Sequence, residues 1–178
     1  FFKSIKQDNA SFALADLTKL VEENNYDFIL SVDVMEHIEE DVLVFKNFFK
    51  SMKRGGMLLI STPSDKGGSD VHDHDHEEGG SFIDEHVRDG YGIPEIKEKL
   101  KTAGFSRTEA YYSYGWPGKI SWKISMKYPI LLLNYSKLFF IILPFYYLLT
   151  FPFSIIFNAL DVMITHKTGT GLIVKAWK

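Results

Sequence analysis

Cysteine is absent from all 178 residues, which excludes disulfides and thiolate metal sites. A reducing cytosol agrees with that absence without following from it. A strong charge of either sign is missing too. The 20 Lys and Arg against 23 Asp and Glu leave a net charge of -3, which gives no electrostatic reason to expect a nucleic acid partner. Methionine does not stand first: Phe1-Phe2-Lys3 leads directly into mixed polar sequence, with no leader-like apolar core. The expectation is that the true N-terminus lies upstream. There is no internal repeat, and residues 138–160 contain no charged side chain at all.

What is present suits one domain with a single core. Residues 11–15 read as a short strand ending at Asp16, and 18–23 as one or two helical turns stopped by Asn24-Asn25. Residues 26–32 are an apolar run of strand length, the pattern of a strand buried on both faces. An amphipathic helix follows over 39–53, with Val42, Phe45, Phe49 and Met52 as its buried stripe and acids at its positive end. Gly55-Gly56 offers a left-handed stop, and 57–61 is a second strand closed by Pro63. The cycle repeats with a helix started by Pro94 and ended by Gly104, its buried positions being Ile93, Ile96, Leu100 and Ala103. Strands follow over 105–113 and 171–177. Such alternation predicts a doubly wound α/β sheet with helices on both faces. Two stretches stand outside the cycle: a polar loop at 64–90 holding His72, His74 and His76, and an apolar, aromatic helical insertion at 116–165.

Four blocks resemble class I S-adenosylmethionine-dependent methyltransferases, in the family's order and at its separations. YDFILSVDVMEHIEE (26–40) is similar to the fourth strand and the turn after it. FKNFFKSMKRGGMLLISTPS (45–64) is similar to the next helix, Gly-Gly turn and fifth strand. HVRDGYGIPEIKEKLKTAGF (86–105) is similar to the later His-basic-aromatic segment and its helix, and GTGLIVKAWK (169–178) to the seventh strand. The resemblance implies a Rossmann-like sheet lacking the first two strands, with the insertion placed before the last strand. It also implies S-adenosylmethionine as cofactor. The family's Gly-rich turn and its ribose-binding acid have no counterpart here, so 1–178 is expected to be a partial, N-terminally truncated methyltransferase domain.

The resemblance assigns roles residue by residue. Asp16 and Leu17 would meet the adenine, and Ser31, Val32 and Asp33 would line the methionine end. Glu36 and His37 would reach the acceptor; a titratable His beside a carboxylate can take a proton near neutral pH. His86, Arg88 and Tyr91 would cover the acceptor pocket. Each has a plain structural counterpart: Asp16 as a helix N-cap, the Glu-His pair as the start of the next helix, and the 86–91 group as loop packing. VHDHDHEE lies between Gly67-Gly68 and Gly79-Gly80, with nothing rigid to fix a coordination geometry, and is read as a solvated loop rather than a metal site.

Lys119, Lys123 and Lys127 recur every four residues beside Trp116, Ile120, Trp122 and Ile124, the composition of an interfacial helix. The run after it is long enough to cross a bilayer, but Pro144 and Pro152 cut it, and a crossing would separate strands of one sheet. The expectation is therefore a cytoplasmic methyltransferase acting on a small or lipid-linked acceptor, in peripheral contact with the inner membrane face through 116–160. The rivals are a catalytically inactive remnant serving as a membrane-surface interaction module and, less in keeping with the turn after 26–32, a nicotinamide-dependent dehydrogenase.

Overall fold

The computed structural model describes residues 10–67 and 87–178. One mixed sheet organises them. β1 (Tyr26–Val32) pairs in parallel with β2 (Met52–Pro63). β4 (Gly171–Trp177) lies antiparallel between β2 and β3 (Arg107–Ser113), so the strand order is β1-β2-β4-β3.

Two helices, α1 (Asp41–Ser51) and α2 (Ile93–Ala103), pack on each other and on one face of the sheet. That face carries Leu58, Ile60, Leu172, Val174 and Ala176, which join Val44, Phe45, Phe48, Ile96 and Leu100 in a single core. Pro94 is the second residue of α2, in the first turn, where its missing N–H costs nothing. It ends at Gly104, with φ at 113° and an edge of the Phe49 ring only 3.1 Å from where a Cβ would stand. The opposite face is laid out in rows across the strands, one of them Val32, Ser61, Ile173 and Tyr111. Neither α1 nor α2 covers it.

Several expectations need correction. α1 buries Val44, Phe45 and Phe48, so its stripe is turned from the Val42–Phe45–Phe49 phase, and Met52 is buried as the first residue of β2. Phe49 is half-buried and meets Phe105 edge-on at 5.3 Å. The helix closes at Met52 in extended backbone, not at Gly55. Gly55, at φ 79°, sits within β2, where the register slips between the Tyr26–Met52 and Phe28–Met57 pairs. Residues 11–15 form no strand: they have no ladder partner among the described residues, and Leu14 is fully exposed. β1 is an edge strand rather than one buried on both faces, for Phe28, Leu30 and Val32 are each about half exposed (47%, 56% and 48%).

Between β3 and β4 the chain makes a helical hairpin. Its outward arm runs through α3 (Trp116–Trp122), a π-helical turn (Lys123–Lys127) and α4 (Tyr128–Tyr135). A 3-10 turn (Lys137–Ile141) reverses the chain, and α5 (Leu143–Met163) returns. Proline has no N–H to give, and Pro129 would have paired with the Ser125 carbonyl in a regular helix. The π turn falls just before it, and the Tyr147 hydroxyl donates to that carbonyl instead, at 2.9 Å.

Candidate functional site

The carboxyl ends of β1 and β2 lie side by side, the position where open α/β sheets leave a crevice. Ser31 is buried, and its hydroxyl has no hydrogen-bond partner among the described residues. Val32 follows, half exposed. Asp33 is held in the left-handed region at φ 49°, its N–H donating to the Ser61 carbonyl at 2.9 Å. A non-glycine residue kept there stores strain, and such positions cluster at functional sites.

Glu36 and His37 sit in the 3-10 turn Met35–His37, with different surroundings. Glu36 is buried and accepts a hydrogen bond from the Thr62 hydroxyl at 3.0 Å, while His37 is exposed. Asp16 caps the turn after it: Thr18 donates from its N–H at 3.0 Å and from its hydroxyl at 2.7 Å, and Lys19 pairs with the second oxygen at 3.0 Å. The Thr18 hydroxyl, with Lys19 behind it, holds the Asp16 carboxyl down to about 2. Leu17 and Ser31 share the wall of a hollow of about 290 Å³ beside β1, together with Tyr26, Phe28 and Phe48. The structure thus brings Leu17 and Ser31 to one side of β1, and Asp33 and Glu36 to its end, while the contacts of Asp16 stay within its own turn.

Arg88 and Tyr91 are held in a different assembly, and His86 lies outside the described residues. Arg88 donates to the Asp41 carboxylate at 2.7 Å and to the Ile38 carbonyl at 2.8 Å, and its guanidinium lies over the Tyr91 ring at 4.9 Å. Tyr91 is wholly buried and donates to Met35 O at 3.0 Å and to Asp41 at 2.8 Å. Burial, then the Asp41 carboxylate, push its phenol well above the ordinary range. Lys99 reaches the same Asp41 oxygen at 2.6 Å and Glu95 at 2.8 Å. These contacts lock the segment after the polar loop onto α1 and α2. The three candidate ligands His72, His74 and His76 also lie outside the described residues, among which no group of three His or acidic residues is placed to hold a metal.

A larger cavity, about 730 Å³, opens between the uncovered sheet face and the base of the hairpin. Tyr111, Tyr114, Ser121, Asn158 and His166 line it, and so does Ser61, the residue bonded to Asp33. His166 Nε2 lies 3.0 Å from an Asp161 carboxylate oxygen and 2.9 Å from the Asp161 carbonyl. Asp161 also accepts from the N–H groups of Tyr114 and Gly118, each at 3.0 Å. The imidazole packs so closely that a Cβ on Gly115 would stand 2.1 Å from Nδ1. Sequence reasoning missed this couple. Asp161 closes an apolar run and His166 lies in the loop beyond it, so no periodicity marks them as partners.

Residues 2–60 match the family model described as a methyltransferase domain. The phosphoethanolamine N-methyltransferase 1 of Triticum aestivum is 34% identical over 98 residues, 54% of this chain and 19% of that protein. The Arabidopsis thaliana protein of the same name is 31% identical over 106 residues, 55% of this chain and 19% of that one. The chain therefore spans about a fifth of the length of the curated relatives it matches. Among solved structures, a SAM-dependent methyltransferase of Thermotoga maritima aligns over 92% of this chain and 62% of its own, with a TM-score of 0.54 at 12% identity. The phosphoethanolamine N-methyltransferase 2 of Haemonchus contortus, in complex with S-adenosyl-L-methionine, aligns over 92% and 36%, with a TM-score of 0.52 at 18% identity. Likenesses at that identity establish the fold. Residues 2–60 thus carry methyltransferase-domain sequence, and the described residues share the fold of these S-adenosylmethionine-dependent methyltransferases.

Proposed function

We propose that the protein carrying this chain transfers a methyl group from S-adenosylmethionine to a small polar acceptor, free or lipid-linked, seated in the 730 Å³ cavity. The observation behind this reading is the position of Ser61. It lines the cavity, and its carbonyl holds the strained Asp33 at the end of β1, so cofactor strand and acceptor cavity share a wall. The volume suits a small-molecule site.

The chain offers a fitting partial cradle for the cofactor. A buried hydroxyl without a partner costs roughly 1–3 kcal/mol, and Ser31 carries that cost unless a ligand relieves it. Ser31, Val32 and Asp33 would hold the methionine end, with Asp16 and Leu17 at the adenine. When bound, the cofactor supplies a methyl group on a sulfonium centre. The chain's task is then to orient the acceptor and remove its proton.

His166 is the better placed base for an acceptor in the cavity. Its ring lines the cavity and is oriented by the Asp161 carboxylate, 3.0 Å from Nε2. His37 is the alternative, at the mouth of β1.

Methyl transfer from labelled S-adenosylmethionine tests this, with phosphoethanolamine, named by the relatives, as the first acceptor. His166→Gln should lower turnover roughly 10²–10⁴-fold and leave the cofactor KM unchanged. The same loss from His37→Gln instead would move proton transfer to the β1 mouth. No transfer to any amine or hydroxyl acceptor by the full protein would sink the enzymatic reading and favour the interaction-module rival.

A further inference from the structure

The hairpin is built inside out. Its two arms meet through small and polar residues: Ser121 and Ser154 are almost wholly buried, and Gly118 and Pro117 are buried with them. The Ser121 hydroxyl donates to the Ser154 carbonyl at 3.1 Å, and those of Tyr146 and Tyr147 donate to the Ile124 and Ser125 carbonyls across the arms. The outside is apolar. Trp116, Ile130, Leu138, Phe140, Phe145 and Leu148 are all at least 48% exposed. α5 is 21 residues long with a mean hydropathy of 1.5 and only 6% of its most apolar stretch buried. Helices apolar all round belong in a core or in lipid, and small residues between helices with apolar ones outside are how helices pack in membranes.

Charge says which kind of surface covers it. Residues 116–160 hold Lys119, Lys123, Lys127 and Lys137 and no Asp or Glu, within a chain of net charge -3. None of these lysines pairs with a carboxylate among the described residues. A second copy would bring like charges together, whereas anionic lipid headgroups would neutralise them while acyl chains take up the apolar surface.

We propose that the 116–163 hairpin docks the protein onto an anionic lipid bilayer, lying along one face without crossing it. Both ends of the hairpin stay on one side, because Asp161 binds the Tyr114 and Gly118 N–H groups and Ser113 pairs with Gly171. Lysines along the outward arm and at the turn keep its length near headgroups. The inference stands on these residues and is independent of the methyl-transfer reading.

The test is flotation of the full protein with vesicles of phosphatidylglycerol and phosphatidylcholine, or of phosphatidylcholine alone. Binding should favour the anionic vesicles and weaken, without vanishing, between ~0.05 and ~0.5 M salt, since screening acts on the lysines alone. Lys119→Glu, Lys123→Glu and Lys127→Glu together should lower anionic binding by roughly ten-fold or more with the melting temperature unchanged. Should that variant fail to fold, the unaltered protein still decides: Trp116 and Trp122 emission should shift to the blue on anionic vesicles and be quenched by brominated acyl chains. Absence of binding to both vesicle types overturns the proposal. So does self-association in place of vesicle binding, and so does resistance to alkaline extraction with Lys119 and Lys178 cleaved from opposite sides.

Discussion

α1 and α5 are both rich in apolar side chains, Phe prominent among them, yet one builds the core and the other stands outside it. α1 interrupts its apolar residues with the exposed Lys46 and Lys50, so water sorts its two sides and Phe45 and Phe48 turn to the sheet. α5 carries no charge until Asp161, and its one buried residue is Ser154. The lesson is that apolar content does not place a helix in a core. Contrast between faces does, together with a sheet face such as Leu58, Ile60 and Val174 to receive it.

The sharpest way to break the comparison is to truncate one phenylalanine on each side. Phe45→Ala, in the core, should cost about 3–5 kcal/mol in urea unfolding followed by circular dichroism. Phe145→Ala, at a position 67% exposed, should stay within about 0.5 kcal/mol. A loss above 2 kcal/mol at Phe145 would mean that the hairpin packs as a soluble cap. Next come the two polar anchors. Asp41→Asn leaves Arg88 and Lys99 without their shared carboxylate. Since those cations are 19% and 23% exposed, the cost should be nearer about 2–3 kcal/mol than the figure for a fully buried pair. Asp161→Asn should cost about 1–2 kcal/mol, with faster amide exchange at Tyr114 and Gly118, the sites it secures.

Smaller effects appear at the extremes of pH. The Asp16 carboxyl is held at about 2, below its ordinary 3.8. Its contribution is therefore complete above about 3.8 and is lost as pH falls through about 2. Asp16→Asn should remove that step from the acid titration of the 16–20 turn. Tyr91 is shifted the other way, so its contribution is complete below the ordinary phenol value and fades as pH rises beyond it. Tyr91→Phe should flatten the alkaline decline.

What the sequence made legible was local. β1 and β4 have the bounds read from their apolar runs, and Pro94 and Gly104 delimit α2, because strand runs, first-turn proline and left-handed glycine act over a few residues. The phase of α1 was ambiguous, since Val42, Val44, Phe45, Phe48 and Phe49 offer two overlapping stripes and only the tertiary neighbours choose. Gly55 was misassigned because a left-handed glycine serves a helix end and an irregular strand equally well. In the site, Asp16 as a cap could be read from Thr18 and Lys19 beside it. The Asp161–His166 couple and the Asp41–Arg88–Lys99 cluster could not, being made by elements that meet only when the chain folds back.

The place of β4 sets a constraint on the order of assembly. It lies between β2 and β3, so β3 has no partner until the chain has run through the whole hairpin and returned. Closing a loop of that length rather than a tight turn adds an entropic cost that grows slowly with length, but it makes the pairing non-local and slow. Until β4 docks, the apolar surface of the hairpin is exposed together with the unpaired strands, the condition in which incompletely folded chains aggregate. Refolding yield should therefore depend on protein concentration more steeply than native stability alone would indicate, and detergent or lipid present early should raise it.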